Sequence, residues 1–66
     1  MKRHSRIFRI EHYVQRVAGT LRITYEPELR PPWHGVIRSD RAKPISVSGY
    51  SKAEVVRGLT FLVDKR

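Results

Sequence analysis

The sequence predicts an α+β domain: an antiparallel sheet of three to four strands in meander order, with one C-terminal helix packed on one face. Three observations carry that prediction. Residues 6–48 run mostly in period two, interrupted by stretches rich in glycine and proline. From Ser51 onward the period becomes helical. The apolar residues of that last stretch, Val55, Val56, Leu59, Leu62 and Val63, fall within a ~120° arc, a single stripe that has to be covered by something flat.

Size and composition set the bounds. Sixty-six residues suit one domain in which only ~60% of the unfolded surface is buried. That leaves room for a two-layer core and none for a deep active site with its supporting shells. There is no cysteine, so neither disulfides nor thiolate metal ligands can staple the fold, which fits a reducing cytoplasm. No 18-residue apolar run and no signal-type segment occurs, and a soluble, unexported, cytoplasmic chain with no membrane partner is expected. A homodimer is a natural way to enlarge so small a core.

Each element has its own signal. Residues 1–5 offer nothing apolar to dock and read as a flexible basic arm. Arg6 to Val17 reads as a long strand with Phe8, Ile10 and Val14 on one side and Ile7, Arg9, Glu11 and Tyr13 on the other. Ala18-Gly19 reads as a hairpin turn pairing Val17 with Thr20, Val14 with Ile23 and His12 with Tyr25. Residues 20–25 alternate with Leu21, Ile23 and Tyr25 on one face. Three prolines across residues 26–32 then forbid regular pairing. Trp33 to Arg38 reads as a strand with Trp33 and Ile37 on one side and His34, Val36 and Arg38 on the other, and Gly35 leaves room for an overlying side chain.

Residues 39–44 read as a polar loop, 45–48 as a short strand, and Gly49 as the turn into a helix over 51–65. Ser51 is placed to cap that helix by accepting from the Glu54 amide, with Glu54 reaching back to the Ser51 amide and Tyr50 stapled onto Val55. Gly58 costs about 1 kcal/mol against alanine in mid-helix, which close approach of Trp33 or Tyr25 would explain. Phe8, Ile10, Val14, Leu21, Ile23, Tyr25, Ile37, Ile45 and Val47 are expected to form the core with the helix stripe.

Charge is the main functional clue. The formal net charge is +8, which favours an anionic partner. Residues 1–9 carry Lys2, Arg3, Arg6 and Arg9 without an acid, and Arg38, Arg41 and Lys43 face only Asp40 in the middle of the chain. The plain alternative is that ten arginines serve solubility or reflect compositional bias.

Catalysis finds no support. His4, His12 and His34 lie on the arm and on two predicted strands, without the i, i+4 spacing of a helical zinc pair. No phosphate-cradling glycine loop, nucleophile elbow or paired-acid spacing occurs. A non-enzymatic protein with no cofactor and no metal is expected.

In the predicted register Arg9, Arg22 and Arg38 share the sheet face away from the helix with Tyr13, Thr24, Ser46 and Ser48. Arginine bonds guanine edges bidentately or holds phosphates, and a small sheet can enter the major groove. Glu11 and Glu26 fall opposite each other on that face and would repel phosphate. Phe61 lies on the outward side of the helix beside Ala53 and Arg57, where an exposed aromatic is either ordinary or a partner hot spot.

Residues 33–38, the basic loop, the short strand and Gly49-Tyr50-Ser51-Lys52-Ala53-Glu54-Val55 resemble the strand, strand, helix order of the plant ethylene-response-type DNA-binding domain. The arm-binding domains of phage and transposon integrases share that plan. The resemblance spans residues 33–63 and implies DNA reading by sheet side chains that map onto Trp33 and Arg38. The Gly-x-Ser-x-x-Glu step into the helix is also similar to the N-terminal domain of HicB-type antitoxins, which implies a protein partner instead.

The sequence therefore leads to a small basic nucleic-acid-binding module of prokaryotic or phage type, for DNA more than RNA. Its expected contacts are Arg6, Arg9, Arg22, Trp33, Arg38, Arg41 and Lys43. The rival is an inhibitor or antitoxin-like adaptor that blocks an acidic protein, using Tyr13, Arg57 and Phe61.

Overall fold

A computed structural model describes residues 6–65, with side chains from residue 8 onward. The expected basic arm over residues 1–5 lies outside the described residues. The order of elements is α1 (Arg6–Arg16), β1 (Thr20–Tyr25), β2 (Trp33–Ser39), β3 (Ala42–Gly49) and α2 (Lys52–Asp64). The strands form one antiparallel sheet in the order β1-β2-β3. Both helices lie on one side of it, giving a slab with Cα extents of 34 × 33 × 16 Å.

The α+β class holds, with two corrections. Residues 6–16 form a helix where a strand was expected, so among the described residues the sheet has three strands, begins at Thr20 rather than residue 6, and carries two helices rather than one. Ile10, Tyr13, Val14 and Val17 fall within a ~100° arc at helical spacing, and Ile10 and Tyr13 are buried. The period-two reading needed Phe8 inside, whereas Phe8 is 54% exposed. β-branched and aromatic residues raise strand propensity without deciding the period.

Ala18-Gly19 is accordingly a helix stop and no hairpin turn, and the pairings proposed for Val14 and His12 do not form. The Gly19 amide donates to the Val14 carbonyl at 2.9 Å and the Ala18 amide to the Gln15 carbonyl at 3.2 Å. With Ala18 at φ 53°, this is a Schellman cap whose left-handed residue is alanine instead of glycine.

The inner face of the sheet consists of three rungs: Leu21–Ile37–Ile45, Ile23–Gly35–Val47 and Tyr25–Trp33–Gly49. Ile10, Tyr13, Ile37, Ile45, Val55 and Leu59 make the buried core. Gly35 is the dent into which α2 settles, since a Cβ there would lie 2.5 Å from Val55 Cγ1 and 2.9 Å from Leu59 Cδ1. Gly58 meets Val47 rather than Trp33 or Tyr25. Tyr25 shares the inner face but is 55% exposed.

At the start of α2, the Glu54 amide donates to Ser51 Oγ at 3.2 Å. Glu54 Oε1 accepts from the Tyr50 amide at 2.8 Å, one residue earlier than expected. Tyr50 is 66% exposed, so the expected staple onto Val55 is corrected too. The polar loop over residues 39–44 contracts to the two-residue turn Asp40-Arg41, with β3 beginning at Ala42.

Candidate nucleic-acid interface

The outer face of the sheet is uncovered by either helix. Its rungs are Thr20–Arg38, Arg22–Val36–Ser46 and Thr24–His34–Ser48. No acid occurs in them. Arg22 and Arg38 stand diagonally across β1 and β2, near enough for long side chains to act together. Together with Thr20 and Val36 they line a shallow cavity of about 410 Å³.

A bulge extends this basic corner into β3. Ile37 pairs with Ile45 and Ser39 with Ala42, so Lys43 and Pro44 together oppose Arg38. A bulge of this kind re-aims side chains and ends regular pairing at an edge. Lys43 therefore stands in register with Arg38. Arg41 follows in the turn, whose backbone is fixed by the Ser39 hydroxyl: it accepts from the Arg41 amide at 2.9 Å and donates to the Val17 carbonyl at the end of α1. Three strands and one turn thus bring Arg22, Arg38, Arg41 and Lys43 to one corner, with Asp40 in the turn beside them.

The other half of the face is polar and holds no Lys, Arg, Asp or Glu in its rungs. His34 Nδ1 lies 3.0 Å from Ser48 Oγ, while His34 Nε2 is shielded from solvent without a hydrogen-bond partner among the described residues. Guanidinium groups can hold phosphates or guanine edges, and hydroxyl rows can donate to phosphate oxygens. Among the described residues no three His, Asp or Glu side chains come together as metal ligands do, and no helix is long and apolar enough to cross a membrane.

The remaining sequence-predicted residues lie elsewhere. Arg6 opens α1. Arg9 is on α1, not on the sheet, and its guanidinium meets Asp64 of α2 at 2.7 Å. Tyr13, expected on the open face, is buried at 4% exposure, with the Arg16 guanidinium 5.9 Å from its ring centre. The opposition of Glu11 and Glu26 disappears with the strand that implied it. Trp33 is half-buried on the inner face, its ring centre 4.9 Å from that of Tyr25, on the opposite side of the sheet from Arg38. Arg57 and Phe61 are exposed on α2, with Lys65 Nζ 4.7 Å from the Phe61 ring centre.

Sequence reasoning passed over Thr20 and Val36, which floor the basic corner. Their signal was present as strand parity, since both share the outer side with Arg22 and Arg38. It also passed over the groove of about 540 Å³ between the helices, lined by Phe8, Arg9, His12, Tyr13, Arg16, Val63 and Asp64, which exists only because α1 is a helix. Comparison with known families, with curated proteins and with solved structures gives no match for this chain.

Proposed function

We propose that this chain is a small non-enzymatic module that binds nucleic acid, DNA in preference to RNA, through the outer face of its sheet. The observation that carries the proposal is the convergence of Arg22, Arg38, Arg41 and Lys43 on one corner of a face whose rungs hold no acid. A flat, uncovered sheet suits the major groove of duplex DNA, whereas the deep major groove of duplex RNA excludes side chains. Arginine diagonals supply phosphate or guanine contacts, and the neighbouring threonine and serine hydroxyls position them. Among the described residues, Arg22 and Arg38 stand diagonally on adjacent strands of the open face.

The test is fluorescence anisotropy of a labelled duplex titrated with protein over a range of salt. Binding should weaken steeply as salt rises, and replacing both Arg22 and Arg38 with alanine should reduce the slope of log affinity against log salt by about 2. Absence of binding at low salt, or an unchanged slope in the double variant, overturns the sheet-face assignment.

A second reading is favoured by Phe61, which is 60% exposed on α2 with Arg57 on the same helix. That face suits an acidic protein partner with an apolar pocket. Nuclease-treated pull-down that recovers one stoichiometric protein, lost on Phe61→Asp, would support it over nucleic-acid binding.

A further inference from the structure

The two edges of the sheet are not alike. β3 carries Pro44, which has no amide to offer, the bulge at residues 43 and 44, and Lys43. These are the devices that keep an edge strand from pairing with another chain. β1, the other edge, has neither proline nor bulge and a single charge, Arg22: residues 20–25 are Thr-Leu-Arg-Ile-Thr-Tyr in unbroken register with β2.

The backbone groups that β1 leaves outward follow from its ladder. The Glu26 amide donates to the Pro32 carbonyl at 2.8 Å, directly opposite in the β1–β2 register. Alternation along an antiparallel pair then makes Thr24, Arg22 and Thr20 the residues bonded to β2. Leu21, Ile23 and Tyr25 point their amides and carbonyls away from the sheet.

The geometry points to a second copy of this chain as the occupant of that edge, paired antiparallel through β1 about a two-fold axis at Ile23. Only this register aligns all three outward residues of both copies, with Ile23 opposite Ile23 and Leu21 opposite the second copy's Tyr25. One further observation agrees with it. Leu21 lines, with Glu11, Val14 and Gln15, a groove of about 390 Å³ between β1 and α1, and Tyr25, 55% exposed, is the side chain delivered to it from the second copy. On the outer face Arg22 falls opposite Thr24 of the second copy and diagonal to both its Glu26 and its Arg22, so an attractive and a like-charge pair stand side by side at the axis and charge does not choose the register. The contact is isologous and closes as a dimer.

The product is a continuous six-stranded sheet with both basic corners on the same side. If the nucleic-acid reading above holds, that arrangement presents two symmetric half-sites; the dimer itself does not depend on that reading.

Light scattering at high salt, without nucleic acid, should give twice the 7.8 kDa chain mass at high protein concentration. The chain has no cysteine, so Thr20→Cys with Glu26→Cys tests the register directly: mild oxidation should yield a covalent dimer bridged between positions 20 and 26, which face each other only in this pairing. Tyr25→Pro, which removes one outward donor and leaves the β2 ladder intact, should give a monomer whose circular dichroism matches the parent. A parent that stays monomeric up to its solubility limit, or a dimer that neither bridges through 20 and 26 nor dissociates with Tyr25→Pro, overturns the proposal.

Discussion

The two faces of the sheet share one backbone and differ in what covers them. Inner rungs are apolar or glycine and meet Val55 and Leu59; outer rungs are Thr, Arg, Ser and His around the single apolar Val36. Because successive strand residues point to opposite sides, residues adjacent in sequence, such as Ile37 and Arg38, answer to different demands. Ile37 is 2% exposed in the core, and Arg38 is held in solvent. On the proposed reading, stability and recognition separate by parity, and each can be perturbed while the other is watched.

The largest effect is expected on the inner side. Leu59 is fully buried over the Gly35 dent, and Leu59→Ala should destabilise the fold by about 2–5 kcal/mol through lost burial and the cavity left behind. The urea midpoint should fall accordingly, while the remaining folded protein keeps its affinity for duplex DNA. A loss of affinity beyond the folded fraction would show that the faces are coupled. The reverse experiment is the double replacement of Arg22 and Arg38, which should change the unfolding free energy in urea titration by no more than about 0.5 kcal/mol while weakening binding. A large loss of stability there would make those arginines structural.

Much of this division was legible before any coordinates. Alternation over residues 20–25 and 33–38 placed Leu21, Ile23, Ile37, Arg22 and Arg38 on the sides they occupy, and the Ser51 and Glu54 spacing marked the start of α2. The first segment was not legible in the same way. Eleven residues rich in Ile, Phe, Tyr and Val satisfy a loose period of two and a period of 3.6 at once, and what decides between them is tertiary: α2 presents a second flank on which Tyr13 and Ile10 can be buried. Thr60 shows the same limit. It lies ~140° around α2 from Val55, outside the apolar stripe, yet it is only 4% exposed, its hydroxyl donating to the Val56 carbonyl at 2.8 Å. A single stripe read from α2 saw the sheet and not the second helix.

A smaller effect is expected where the helical layer joins the sheet. Ala18 holds φ 53° at the cap position where glycine carries no steric penalty. Ala18→Gly relieves that strain and adds backbone freedom to the unfolded chain, so the net gain should be about 0.5–1 kcal/mol, read as a raised urea midpoint. At the neighbouring position the logic reverses. A Cβ on Gly19 would lie 2.5 Å from the Arg38 carbonyl oxygen, so Gly19→Ala should lower the midpoint.

The smallest effect sets one arginine against another. Arg9 and Asp64 form an ion pair with both side chains about half exposed, 51% and 50%. Solvent screening limits such a pair to about 0–1 kcal/mol, and Arg9→Ala should lower the unfolding free energy read from urea titration by no more than that. Arg9 belongs to the helical layer, where its charge already faces a carboxylate, and Arg22 belongs to the open face. If binding reports the face and not the total charge, Arg9→Ala should leave the salt slope within about half a unit of the parent, while Arg22→Ala alone lowers it by about 1. Equal losses from the two single variants would mean that the protein attracts nucleic acid through its net charge, and that the sheet face has no privileged part in it.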